Sequence, residues 1–133
     1  MNSNKSYDSI KMILKKKPEY VSIIRITVSS IANKMGFNIE EIDDIKLALG
    51  ETCTSLIKKS TDNESEYNIE FIIKEDSLSI IIEDLNNSYD IENCRGDKKD
   101  LSFFIINTLM DEVVCNKNGK SIKVLLVKNR SRL

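Results

Sequence analysis

Two carboxylates and a few hydroxyls are the residues of this 133-residue chain whose spacing could do chemistry. Glu51 follows Gly50 and precedes Ser55 by four positions, so on a helix Glu51 and Ser55 lie on one side. A carboxylate held beside a hydroxyl-bearing substrate can act as a general base. The same residue can equally be a solvated glutamate on an amphipathic helix. Asp84 ends an apolar run where the sequence turns polar, a common place for ligand contacts and an equally common one for a turn-forming or capping aspartate. The chain has no His, which removes the usual general base, triad member and metal ligand, so catalysis would rest on carboxylates. Cys53, Cys94 and Cys115 are odd in number, far apart and never in a Cys-x-x-Cys pair. Neither a zinc site nor a secreted disulfide framework fits, and reduced thiols are expected. The four glycines, Gly36, Gly50, Gly96 and Gly119, are isolated, so neither G-x-G-x-x-G nor a Walker A loop exists.

The positioning of these residues falls to a single expected domain over 1–133, with flexible arms at 1–8 and 129–133. At 41% apolar and 31% charged residues, collagen-like, mucin-like and disordered classes are excluded. A chain of this length buries roughly two-thirds of its unfolded surface. Twenty basic residues against 21 acidic ones leave a net charge of -1, so no bulk field draws the protein to nucleic acid or membrane, and any partner is read locally. The opening residues are polar and no apolar run approaches the ~20 residues that span a bilayer, which points to the cytoplasm.

Ile10, Met12 and Leu14 alternate with Ser9, Lys11 and Ile13 as in a short half-buried strand that ends at Lys15-Lys16-Lys17. Pro18 and Glu19 read as a helix opening. Val21, Ile24, Val28, Ile31 and Met35 then form one apolar helix face, Ser22, Arg25 and Ser29 share another, and Gly36 supplies a left-handed stop. Asn38 and Glu41 have capping-box spacing before a second helix whose stripe is Ile42, Ile45, Leu49, Cys53 and Leu56. Gly50 inside that helix costs about 1 kcal/mol relative to Ala and implies a close backbone approach. Tyr67 to Ile73 and Leu78 to Ile82 alternate as a hairpin, residues 84–100 read as a loop, and Leu101 to Met110 as a short buried helix. Asn118-Gly119 joins a final hairpin. The order β-α-α-β-β-α-β-β predicts a two-layer α/β sandwich, a mixed and mostly antiparallel sheet with helices on one face. Its shared core is expected to hold Val21, Ile24, Val28, Ile31, Ile42, Ile45, Leu49 and Phe71.

That order of elements carries particular residues. The stretches 17–21 (Lys17, Pro18, Glu19, Tyr20, Val21) and 51–54 (Glu51, Thr52, Cys53, Thr54), with Ile24-Arg25, Met35-Gly36, Glu41-Ile42, Ile45-Lys46 and 108–113, resemble the anti-sigma-factor serine-protein kinases of bacterial stress and sporulation switches. These belong to the GHKL ATPase superfamily, and the resemblance runs from about Ile10 to Val127. It implies the histidine-kinase-like (Bergerat) ATPase fold, ATP and Mg²⁺ as cofactors, Glu51 as general base on a partner's serine and Asp84 as the ligand of the adenine amino group. Departures fall on the nucleotide motifs. Ser55 stands where the family has its Mg²⁺-binding Asn, Asn86 where it has a Gly after the Asp, and Asp100, Leu101 and Ser102 where a glycine-rich box cradles phosphates. Ser121 keeps a hydroxyl where the family has a Thr backing adenine, and the segment between Asp90 and Lys99 is short for a lid over ATP.

Three readings follow. In one, the chain is an anti-sigma factor that sequesters an alternative sigma factor through a surface with Arg25, Ser22 and Ser29, works as a homodimer, touches no DNA itself and has weakened or lost ATP binding. In another, it is an active ATP-dependent kinase that phosphorylates an anti-anti-sigma protein on serine. A third is a small-molecule sensor domain of similar topology, which requires a compact apolar pocket.

Overall fold

The computed structural model describes residues 7–60, 62–87 and 101–131. The expected alternation produces strands β1 (Asp8–Lys15), β2 (Glu66–Ile73) and β3 (Ser77–Asp84), and the turn at Asn118 and Gly119 joins β4 (Glu112–Asn118) to β5 (Ser121–Asn129). They form one five-stranded sheet of order β1-β2-β3-β5-β4, antiparallel in every pairing among the described residues. Gly119 adopts the left-handed conformation, φ 63°, that this tight turn needs. Asp8 opens β1 and Asn129 closes β5, so the inner ends of both expected arms belong to the sheet. Beyond β5, Arg130 is held by its backbone N–H on the Asp76 carbonyl at 2.7 Å and its guanidinium on the Asp76 carboxylate at 2.9 Å.

Pro18 opens a single 3-10 turn, Pro18–Tyr20, and the α-helix proper starts behind it as α1 (Val21–Met35). Gly36 ends α1 at φ 88°. The capping box of α2 (Ile39–Lys58) is complete: Glu41 N–H donates to Asn38 Oδ1 and Asn38 N–H to Glu41 Oε1, each at 2.8 Å. The third helix, α3 (Leu101–Leu109), packs on α2, as does α1.

The core lies between these helices and one face of the sheet. Ile24, Val28, Ile45, Leu49, Phe71, Ile80, Ile82 and Leu126 are buried, with Val21 and Ile31 nearly so. Ile42, expected in the shared core, is only half-buried because it sits in the first turns of α2 at the core's rim. Ile10 is exposed, since the start of the edge strand β1 runs past the helices' cover, whereas Leu14 at its far end is buried. On the core-facing phase of the strands, the apolar residues give way to lysines at the sheet's ends. Lys128 Nζ reaches the Leu109 carbonyl at 2.6 Å and Asp44 at 3.2 Å. Cys115 is disulfide-bonded, which corrects the expectation of three reduced thiols, and its bond partner lies outside the described residues. Cys53 is a buried free thiol. Among the described residues no helix is long and apolar enough to cross a membrane.

Candidate functional site

The end of β3 lies beside β5 and close to the C-terminal half of α2, with the end of β1 one strand further across the sheet, and Asp84 sits there with no solvent exposure. The alternation Ile10, Met12, Leu14 continues onto Lys16, which therefore points inward and is also fully buried. Its ammonium lies 2.8 Å from Asp84 Oδ1 and donates to the Asn86 carbonyl at 2.6 Å and to Ser60 Oγ at 3.1 Å. Three donors thus meet three acceptors, which is what a buried ammonium requires.

Asp84 is matched as fully. Oδ1 also accepts the Asn86 backbone N–H at 3.0 Å, and Oδ2 accepts Asn87 Nδ2 at 2.8 Å. Asn87 ties the corner together: its side chain also donates to the Leu56 carbonyl on α2 at 2.9 Å, and its backbone N–H donates to the Lys120 carbonyl at 2.8 Å. Lys117 Nζ donates to the Asn87 carbonyl at 2.8 Å. Lys16 and Asn87 were not singled out from the sequence. The phase of β1 carries a signal for Lys16, because two residues past Leu14 is an inward position, but nothing local marks Asn87.

Beside this corner Tyr67 is buried and its hydroxyl has no hydrogen-bond partner of good geometry. Burial, reinforced by Cys53 and Asp84, holds that hydroxyl above the ordinary phenol range. Burial likewise pushes the Cys53 thiol up to about 12, against smaller opposing pulls from Tyr67 and Arg25.

The space between α2, α3 and β5 is nearly closed. A cavity of about 10 Å³ is lined by Thr52, Ser55, Leu56, Phe103, Ile106, Ile122 and Val124. Ser55 therefore faces it. Glu51, one turn earlier on α2, is half-buried, as are Ser102 at the start of α3 and Ser121. Ile122, not Ser121, stands opposite Asp84 in the strand register, so alternation sets Ser121 on the other face of the sheet. Asp100 and the segment between Asp90 and Lys99 lie outside the described residues. A much larger groove, about 580 Å³, runs between α1 and the opposite end of β1, lined by Ile10, Ile26 and Met35 among others.

Arg25 is half-buried rather than projecting from a polar face, and it accounts for Gly50. A Cβ on Gly50 would meet Arg25 Nη2 at 2.5 Å and Cζ at 2.8 Å, so the guanidinium lies directly on the bare backbone of α2. This is the close approach the interior glycine implied. Ser22 is exposed and donates to the Glu19 carbonyl at 3.2 Å, and Ser29 is half-buried.

An antiparallel sheet of this order, covered on one face by helices with a carboxylate at the end of its central strand, defines the class of histidine kinase-like ATPase folds. Residues 14–128 match the family described as the histidine kinase-like ATPase domain. Relatives carrying the name serine-protein kinase RsbW include those of Bacillus pumilus, 35% identical over 98% of this chain and 92% of the relative, and Bacillus subtilis, 33% identical over 100% and 92%. That of Oceanobacillus iheyensis is 36% identical over 92% and 87%. A crystal structure of RsbU and RsbW domains from Mycobacterium tuberculosis matches with a TM-score of 0.76 over 95% of this chain, at 11% identity. It shares the fold, and this chain spans 33% of its length. The chain belongs to the histidine kinase-like ATPase family, among its RsbW-like members.

Proposed function

We propose that this protein is an anti-sigma factor that holds an alternative sigma factor by direct contact and has weakened or lost the binding of ATP and Mg²⁺. The observation that carries the loss of nucleotide is the state of Asp84. The carboxylate that would accept an adenine amino group already receives Lys16, Asn86 and Asn87 and is out of reach of solvent. Two more observations support it. The cavity of about 10 Å³ holds roughly one water, and Ser55 offers a shorter side chain, with a hydroxyl in place of an amide oxygen, where the family's magnesium ligand is an Asn. As they stand, these residues do not fit a nucleotide, and phosphoryl transfer depends on the positioning and charge neutralisation they fail to supply.

The partner surface centres on Arg25 with Ser22 and Ser29. Laid flat on α2, the guanidinium has lost part of its motion before a partner arrives, which lowers the ordering cost of gripping an acidic group. The protein acts as a homodimer in the cytoplasm, and its pathway is a stress or sporulation switch. Calorimetry with ATP and Mg²⁺ on the purified chain is expected to show no binding below about millimolar concentration. Magnesium-dependent micromolar binding would overturn the reading and favour the kinase, in which Glu51→Gln should abolish phosphorylation of an anti-anti-sigma protein's serine. Capture of sigma factors from the same genome should proceed without nucleotide. Arg25→Ala should leave the fold intact and weaken capture by about 2 kcal/mol; capture of no sigma factor would end the anti-sigma assignment.

A further inference from the structure

The corner around Asp84 is built as a recognition site for an amino group, and its own chain fills it. We infer that the Lys16 ammonium is a resident occupant of that site, taking the hydrogen-bond positions at Asp84 that an external amino group would need. The inference rests on the reading of Asp84 given above and adds the residue responsible for its closure.

Three features separate an occupant from an incidental ion pair. First, Lys16 is fully buried, yet it arrives from β1, a different part of the chain from every group it meets; its acceptor at Asn86 is 70 residues away in sequence. Second, three acceptors from two distant segments, the end of β3 and the end of α2, converge on one point: Asp84 Oδ1, the Asn86 carbonyl and Ser60 Oγ. A carboxylate, a carbonyl and a hydroxyl spaced for three N–H donors make a receptor for a primary ammonium. Third, the receptor is held by bonds that do not involve Lys16. Asn87 fixes Asp84 Oδ2, Leu56 and Lys120, and the Asn86 N–H holds Asp84 Oδ1 from the backbone. Removing the lysine side chain therefore leaves a formed but vacant site.

The atoms that Lys16→Ala deletes are those of n-propylammonium, so this ion is the probe. In thermal unfolding of the full chain, Lys16→Ala is expected to lower the Tm by about 10 to 20 °C, because it leaves a buried carboxylate unpaired. Adding n-propylammonium at about 0.1 M should raise that Tm by several degrees, while tetramethylammonium or sodium at the same ionic strength should not. Unaltered protein, and the charge-free pair Lys16→Met with Asp84→Leu, should show no response that distinguishes the three cations. Should Lys16→Ala be unfolded at 25 °C, the same titration is read as recovery of helical circular dichroism. A variant that loses little stability, that ignores propylammonium, or that responds equally to tetramethylammonium would overturn the inference. Calorimetry of the unaltered chain with ATP is a separate measurement. No nucleotide binding together with no rescue removes the occupant and leaves the loss of ATP binding to be explained by the closed cavity alone. Tight nucleotide binding by unaltered protein removes the functional reading itself.

Discussion

Between about pH 9 and 12 the folded chain keeps a proton on Cys53 that the unfolded chain gives up, since the thiol moves from an ordinary 9.0 to about 12 on burial. The folded state then binds more protons than the unfolded one, so stability falls as pH rises through that window, by at most about 1.4 kcal/mol per pH unit from this group. Tyr67, raised in the same direction, adds its share above the ordinary phenol range. Urea midpoints measured from pH 8 to 10.5 should drop steadily above pH 9, and Cys53→Val should flatten the first part of the decline. A curve level to pH 10.5 would contradict the burial of both groups. Single residues were legible when their surroundings were local. Glu51, Ser55 and Asp84 can be singled out as candidates because each sits in a recognisable helix or strand-end context. Lys16 hid in a run of three lysines of which its neighbours are partly exposed, and its burial depends on a carboxylate far along the chain that no local pattern announces.

At the scale of elements, Gly50 tests the bond between α1 and α2. Gly50→Ala gains about 1 kcal/mol of helix propensity but forces the guanidinium of Arg25 off the α2 backbone, a flexible group that can swing outward. Stability by urea unfolding is therefore expected to change by less than about 1 kcal/mol, while the proposed sigma-factor capture, if Arg25 carries it, should weaken several-fold because Arg25 has lost its seat. Unchanged capture would mean that Arg25 needs no such placement. Ile45, fully buried at the centre of the α2 stripe, should cost ~2 to 5 kcal/mol when cut to Ala, and a loss under half a kcal/mol would mean that α2 buries another face. Periodicity, the Asn38–Glu41 capping box and the left-handed Gly36 are local physics, which is why α1, α2 and both hairpins could be read in advance. The depth of Ile42 and Ile10 could not, because it depends on how far the helices extend over the sheet.

The whole molecule has a net charge of -1, and its lysines at the corners of the sheet are turned inward onto carbonyls and carboxylates. A protein so balanced should leave duplex DNA unshifted in a gel at about 0.1 M salt and, if it is the proposed homodimer, sediment at twice the chain mass. Retarded DNA or a monomer at micromolar concentration would count against those parts of the assignment. Antiparallel hairpins and helix order were visible from one sequence, but the neighbourhood of β3 and β5 joins distant segments, and the Asp84 corner is a product of that neighbourhood. The strand order also fixes a timetable. The hairpins β2–β3 and β4–β5 close between neighbours, within microseconds once both strands exist. β1 is made first but pairs with a strand that begins about 50 residues later, from Lys15 to Glu66. On a ribosome adding roughly 5 to 20 residues each second, β1 waits some 3 to 10 s as an unpaired strand. Lys11 and Lys15, set among the apolar residues Ile10, Met12, Ile13 and Leu14, are the charges that discourage it from pairing with another nascent chain during that wait.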